Sequence, residues 1–376
     1  MVVDTKYVFS RFESSLPWIK DHTIFLTKHG SHAYGTNTPK SDIDIRGVCI
    51  PPREYFFGFH KRFEQAESKE VDCTIYDIRK FFHLASDCNP NILEFLWIDP
   101  SDWILPEPRH RDRENLWMRI LRHREEFLSK KIVYTYRGYA ISQLKRIQTH
   151  RRWLLNPVEH KPTREEFGLP ERTLIPADHL AAAQSAIQKK MDSWALDLDE
   201  VPPDKRVQIL ESVTNTLTEI LSGNLEEGKE RSAAHLIGYD DNMIEILMRE
   251  RRYKSAQQEY TNYQNWKKNR NPARAELETK YGFDAKHSMH LIRLMRQCRE
   301  ILEGKGVIVR RPDAEELLAI RNGAWSYEQT LEWAENQDRE LLELSKTSKL
   351  PHSSNSEELD SLCQRVVEEA LVMGIV

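Results

Sequence analysis

Asp42 and Asp44, in the run SDIDIRG, are separated by one isoleucine. On an extended strand side chains alternate, so both carboxylates leave one face while Ile43 and Ile45 enter the core. Side by side they repel unless a cation lies between them, and hard oxygen ligands at this spacing suit Mg2+ or Mn2+. Ten residues separate Asp42 from the pair Gly30-Ser31, which follows an apolar run and offers backbone N–H groups and a hydroxyl to phosphates. Residues 23–50 thus read as a strand, a phosphate-approach turn and a second strand. Downstream, residues 71–76 (VDCTIY) alternate again, with Val71, Cys73 and Ile75 on one face and Asp72, Thr74 and Tyr76 on the other. Asp77 precedes IRKFFHLA, whose apolar residues recur at i, i+3, i+4 and i+7, so it has a structural task as a helix N-cap.

The pair Gly30-Ser31, ten residues, then Asp42-Ile43-Asp44 resembles the active-site signature of the DNA polymerase β-like nucleotidyltransferase superfamily. The longer pattern GSHAYGTNTPKSDIDIRG, with KYGFDAKHSMHLIRL far downstream, is similar to its RNA-ligase-associated branch, linked to RNA repair. The resemblance implies an α+β fold, with a small mixed-sheet catalytic core followed by a larger all-helical domain. It implies Asp42, Asp44 and Asp72 as catalytic metal ligands for two ions, with an NTP as substrate. Gly30 and Ser31 then position the β and γ phosphates. Asp72 is preferred over Asp77 as the third carboxylate.

Other residues carry a functional reading beside a plainer one. Arg46 shares the carboxylate face, where it balances the aspartates or binds a phosphate oxygen. Tyr34, beside Gly35, packs beneath the nucleotide. Lys286, His290 and Arg293 fall at i, i+4 and i+7 of one helix; following the resemblance, this row grips the triphosphate, with Lys286 and His290 the candidates. His287 and His290 as transition-metal ligands lack a nearby third partner in sequence. Residues 130–152 interleave basic residues with Tyr134, Tyr136 and Tyr139, which suits single-stranded RNA, with Lys145, Arg146 and Arg152 meeting phosphates. Equally, the tyrosines are core and the basic residues a solvated face. The aromatic stretch EYFFGFHKRFEQ stacks a base or packs under the sheet edge as a loop or short helix.

The elements that must hold these groups divide at residues 105–108 (LPEP). Before it lie an N-terminal helix over 6–20, the strands and the helix after Asp77; beyond it helical spacing predominates, at 112–129, 131–153, 178–195, 204–222, 240–265, 285–303, 313–344 and 357–372. The expected domains are a catalytic core over 1–108, a helical domain over 109–344 making acceptor and triphosphate contacts, and a flexible linker with a short helix over 345–376. A length of 376 residues and a charged fraction of 30% fit a soluble two-domain protein. Without an apolar span or signal-peptide pattern, a cytoplasmic location is expected. The five cysteines lack metal spacing and read as buried thiols. The net charge of −4 conceals 16 basic against 7 acidic residues over 249–311, and 5 against 14 over 313–376. The basic stretch reads as a solvated face or as an acceptor surface.

The expected reaction is transfer of a nucleoside monophosphate to an acceptor hydroxyl with release of pyrophosphate, by template-independent addition to an RNA end. Its rivals are a protein or small-molecule acceptor, and a degenerate nucleotide- or RNA-binding module.

Overall fold

The computed structural model describes residues 3–105, 111–173, 177–192, 234–235, 238–270 and 272–375. Its N-terminal part holds a mixed sheet of β1 Thr23–His29, β2 Asp44–Cys49, β3 Gln65–Ser68, β4 Cys73–Asp77 and β5 Trp103–Leu105. The order is β3-β4-β2-β1-β5; β2 and β4 run parallel, and the other neighbouring pairs antiparallel. A larger helical part follows, so the class is α+β. β1, TIFLTKH, is buried along nearly its whole length, as befits an apolar, β-branched strand covered on both faces. β3 and β5 are too short for alternation to reveal them in sequence.

One face of the sheet packs Leu26, Ile45, Cys49, Cys73 and Ile75 against Val8, Phe9 and Phe12. The N-terminal helix α1 is Thr5–Ser10, shorter than the expected 6–20: Asp4 caps its start, accepting from the Lys6 N–H at 3.0 Å. A separate turn, Ile19–His22, follows Pro17. After β1 the chain enters the short helix α2, Gly30–Tyr34. On the opposite face, α3 (Ile78–Ser86) buries Ile78, Phe81, Phe82 and Ala85, the four residues its spacing predicts. There too Trp117 of α4 (Arg111–Arg122) stacks on Phe25, ring centroids 3.9 Å apart.

Most of the later helices lie where the periodicity puts them: α5 Lys131–Leu155, α6 Ala177–Asp192, α7 Asp241–Asn269, α9 Ala285–Leu302 and α12 Ser356–Val372. The expected helix over 204–222 lies outside the described residues. An additional helix, α8 (Pro272–Tyr281), precedes α9. The expected 313–344 helix is two, α10 Ala314–Arg321 and α11 Tyr327–Thr347. Gly323 breaks it, with φ +86°, and a Cβ there would collide with the Tyr281 ring. Ser326 and Gln329 then form a capping box that starts α11.

The chain groups into two compact units, Met1–Leu155 with Asn271–Val376, and Asn156–Arg270. The first contains the sheet together with the helices on both sides of the insertion. Within it, residues 345–356 are held to the body rather than hanging as a free tether: the Lys130 N–H donates to the Pro351 carbonyl at 2.8 Å, and the Ser354 hydroxyl to that of Ser86 at 3.0 Å. The second unit has a small core of Ala183, Ala234, Ile244, Leu247 and Met248, and a largely buried Arg164–Glu250 ion pair. All five cysteines are free and buried. No helix among the described residues is long and apolar enough to cross a membrane.

Candidate active site

The end of β1 and the start of β2 are in register, with His29 opposite Asp44. The next residue, Gly30, has φ +60°, and a Cβ on it would run into Asp44 Oδ2. Glycine is therefore required there both for the left-handed turn and for close approach to a carboxylate. Gly30, Ser31, Asp42, Asp44, Lys286 and His290 border one cleft of about 670 Å3.

Asp72 joins through the parallel pairing of β2 and β4. Ile45 is opposite Cys73, and the Ile45 N–H donates to the Asp72 carbonyl at 2.9 Å, which sets Asp44 beside Asp72. Asp72 has φ +40°, a conformation uncommon outside glycine and tolerated better by aspartate than by most residues. Burial pushes the Asp44 carboxyl up to about 6; a hydrogen bond with Asp72 and the charges of Asp72 and Asp42 push the same way, while Arg46 opposes them. The Arg46 guanidinium is 3.1 Å from Asp72 Oδ1 and 3.8 Å from Asp44 Oδ1. One guanidinium against Asp44 and Asp72, with the charge of Asp42 added, leaves negative charge uncompensated. That excess, on oxygen ligands alone and with Asp42 exposed, fits divalent magnesium or manganese.

Asp77 stands apart. It pairs in register with Cys49, four residues and roughly 13 Å along the strand from Cys73. It caps α3 through the Arg79 N–H at 2.7 Å and forms an ion pair with the Arg79 side chain at 2.6 Å.

The expected triphosphate row divides. Lys286 and His290 border the cleft, whereas Arg293, only 4% exposed, borders a neighbouring cleft that also reaches Asp44. Its guanidinium lies 2.6 Å from Glu94 and 2.7 Å from Gln297 Oε1, and 3.8 Å over the Tyr34 ring. Tyr34 in turn donates its hydroxyl to Glu94 at 2.7 Å, and His29 Nε2 lies 3.5 Å from the same carboxylate. Tyr34 therefore ties α2 to α9 beneath the Gly30 turn. Burial pulls the His29 imidazole down to about 4, against the pull of Glu94. Glu94 was the residue hardest to single out in sequence; its signal is an acid inside the apolar run ILEFLW, since a buried carboxylate demands a partner.

A second cleft of about 540 Å3 shares Gly30, Asp44, Lys286 and His290 with the first and adds Tyr139 and Arg146. Lys145 and Arg152 are exposed on the same helix, α5, but do not border either cleft. The three tyrosines separate: Tyr134 is exposed, Tyr139 half-exposed, and Tyr136 fully in the core. Among the basic residues around them, Lys131 pairs with Asp87 at 2.8 Å and Arg137 with Asp338 at 2.9 Å. In the aromatic stretch after β2, Phe57, the last residue of a short helix Glu54–Phe57, and Phe59 just past it are exposed.

Residues 3–161 match the model of RlaP, the RNA repair pathway DNA polymerase beta family, so the branch recognised from the motifs is borne out over that stretch. The family supports a DNA polymerase β-like nucleotidyltransferase role in RNA repair. Among curated proteins, the chain is 30% identical over 131 residues to an uncharacterized 38.9 kDa protein of Enterobacteria phage T4, covering 32% of this chain and 37% of that protein. It is 28% identical over 79 residues to the uncharacterized protein YcgL of Bacillus subtilis (strain 168), covering 20% and 30%. The matches thus span little more than a third of those relatives. No solved structure matches the chain.

Proposed function

We propose that the protein transfers a nucleoside monophosphate from an NTP to a hydroxyl at an RNA end, releasing pyrophosphate. The observation that carries this reading is the placement of Asp44 against Asp72 beneath the Gly30 turn, with Asp42 adding its charge. Asp42, Asp44 and Asp72 would hold Mg2+ or Mn2+, which when bound lowers the pKa of an attacking hydroxyl and neutralises charge on a phosphate chain. The chain's own groups orient the reactants. Gly30 and Ser31 approach the phosphates, and Lys286 and His290, facing the same cleft from α9, add positive charge to the phosphate end. Arg46 holds the Asp44 and Asp72 carboxylates in place.

An RNA acceptor is supported by the family and by Tyr139 and Arg146 beside Asp44, an aromatic ring and a guanidinium suited to a base and a phosphate. The test is incubation of the full chain with each α-labelled NTP, Mg2+ or Mn2+, and RNAs with defined ends. Label on RNA with equimolar pyrophosphate is expected. Label on polypeptide or on a small molecule overturns the acceptor, and no transfer with any NTP overturns the reaction.

A further inference from the structure

The aromatic loop between β2 and β3, EYFFGFHKRFEQ, borders neither cleft at Asp44, and its rings divide into two sets. Tyr55 and Phe63 turn inward against Trp18, with ring centroids 5.4 and 5.1 Å from it. Phe56 packs against the main core, and the Arg79 guanidinium covers its ring at 4.4 Å. These three rings anchor the loop. Phe57 and Phe59 are turned out instead, 71% and 95% exposed. The turn that presents them is fixed: the Gly58 N–H donates to the Glu54 carbonyl at 3.2 Å, and Arg79, held by Asp77, donates to the Tyr55 carbonyl at 3.3 Å. Two phenylalanines left in water on a fixed turn forgo burial that a partner could supply.

A groove of about 590 Å3 opens beside them, bounded by the anchored rings and by Lys61, Arg62, Arg79 and Lys80. Three of these cations are paired: Lys61 with Glu54 at 2.6 Å, Arg79 with Asp77 at 2.6 Å and Lys80 with Glu64 at 2.8 Å. Among the described residues Arg62 forms no ion pair, and neither does Arg53, whose guanidinium lies over the Phe57 ring at 5.4 Å. Residues 53–63 carry three Arg/Lys against one Glu, a positive excess on a chain of net charge −4. Exposed rings beside uncompensated guanidinium groups match a ligand that alternates flat π-faces with single negative charges. An acidic peptide supplies the charge without the regular π-faces, and duplex RNA keeps its base faces stacked away. A single strand supplies both.

We propose that this loop is a second contact for single-stranded RNA, with Phe57 and Phe59 stacking on bases and Arg53 and Arg62 meeting phosphates. Asp77 borders the groove, and roughly 13 Å of strand separates it from Cys73, the neighbour of Asp72. The loop therefore engages RNA several nucleotides from the reacting end, and short acceptors do not reach it. The inference takes RNA as the ligand from the proposed function and needs none of its chemistry.

The test is fluorescence anisotropy of end-labelled oligouridylates of about 4 and about 16 nucleotides with the full chain, without NTP. It compares wild type with the double variants Phe57→Ala with Phe59→Ala and Arg53→Gln with Arg62→Gln. All four side chains are exposed, so melting temperatures should match wild type. In the phenylalanine variant the longer strand should bind at least about tenfold more weakly, and the shorter as in wild type. In the arginine variant the log–log salt slope for the longer strand should flatten by about 0.7 per lost phosphate contact. Should the phenylalanine double variant melt lower, Phe59→Ala alone gives the same reading. Unchanged binding of the longer strand in both variants overturns the proposal, as does a wild-type chain that binds neither strand. A dimer that dissociates in the phenylalanine variant while RNA affinity is intact also overturns it, making the rings a self-association surface. Because no NTP is present, a chain that transfers no nucleotide still passes if the longer strand's affinity falls, and one that labels RNA still fails if it does not.

Discussion

On either side of the Gly30 turn stand two polar clusters built from the same kinds of groups and finished differently. Asp44 and Asp72 face the guanidinium of Arg46, Asp42 adds a further charge, and the set is partly open to solvent. Glu94, Arg293, Tyr34 and His29 are buried, and Glu94 meets a guanidinium, a hydroxyl and an imidazole. His29 and Asp44 are register partners, so the two clusters begin on adjacent strands. The difference separates holding from binding. A buried carboxylate that lacked partners would destabilise the fold, so Glu94 is surrounded. A cluster meant to take a cation from solvent must keep negative charge in reserve; the Asp44 carboxyl is raised first by burial, and the charges of Asp72 and Asp42 add to it.

The largest effect should come from the incomplete cluster and should fall on activity alone. Asp42→Ala and Asp44→Ala are each expected to lower nucleotidyl transfer by about 10^4-fold or more, roughly 5 kcal/mol of transition-state stabilisation. Neither should lower the melting temperature in the absence of divalent ions, because each removal relieves repulsion. A labelled-NTP assay beside thermal melts checks both halves; a destabilised protein with retained turnover would erase the distinction between the clusters.

The complete cluster should show the reverse. Arg293→Met leaves the Glu94 carboxylate buried without its guanidinium, and a loss of about 3–5 kcal/mol is expected from urea unfolding of the full chain. Adding Glu94→Gln to it should restore part of that loss, since the stranded charge is then gone. If the double variant is as unstable as the single, Arg293 acts by packing against Tyr34 rather than by charge.

The two clusters were not equally legible in the sequence. Asp42, Asp44 and Asp72 announce themselves because their signal is local, acids set among apolar residues, although only Asp44 lies within a strand: Asp42 precedes β2, and Asp72 precedes β4 with φ +40°, so the expected alternation does not itself place them. Helix α3 and its Asp77 cap were legible for the same reason. Glu94 and Arg293 are nearly two hundred residues apart, and only the tertiary approach of α9 to the sheet joins them. The helical spacing that groups Arg293 with Lys286 and His290 is real, and all three border the second cleft, yet Arg293 is almost wholly buried there against Glu94 and Tyr34. The break at Gly323 escaped periodicity because the apolar spacing continues across it and the reason, the Tyr281 ring, comes from another helix. β3 and β5 are fixed by pairing partners rather than by their own few residues.

A smaller effect is expected at the acceptor side of the cleft. Reversing the charge of Lys145, Arg146 and Arg152 should weaken single-stranded RNA binding on the order of tenfold to a hundredfold, roughly 1.4–2.8 kcal/mol, with NTP affinity unchanged. The log–log salt dependence should become shallower by about 0.7 for each phosphate that the protein no longer neutralises. Filter binding across a salt series measures both. Arg146 alone borders the second cleft, so most of any effect on transfer should follow it; an equal contribution from Arg152 would place the RNA along the exposed side of α5 instead.

The smallest effect is a pair of opposed pH dependences, which tests whether the register partners His29 and Asp44 belong to different clusters. Asp44 is raised from 3.8 to about 6, so between those values the folded protein binds more protons than the unfolded chain, and stability falls as pH rises. His29 is lowered from 6.5 to about 4; the unfolded chain then binds more protons, and stability rises with pH across that window. Each slope is bounded by about 1.4 kcal/mol per pH unit, and partial exposure of Asp44 reduces its total to roughly 1–2 kcal/mol. In wild type the two largely cancel between about pH 4 and 6. Asp44→Asn should expose the rise due to His29, and His29→Gln the fall due to Asp44, whatever the packing cost of losing the ring against Phe95. The measurement is urea unfolding from pH 4 to 7 without divalent ions. Adding Mg2+ should then abolish the fall in His29→Gln, because the ion favours the ionised carboxylate, and should leave the rise in Asp44→Asn in place. A magnesium-sensitive slope in Asp44→Asn would mean that His29 titrates with the metal ligands, and the two clusters would be one.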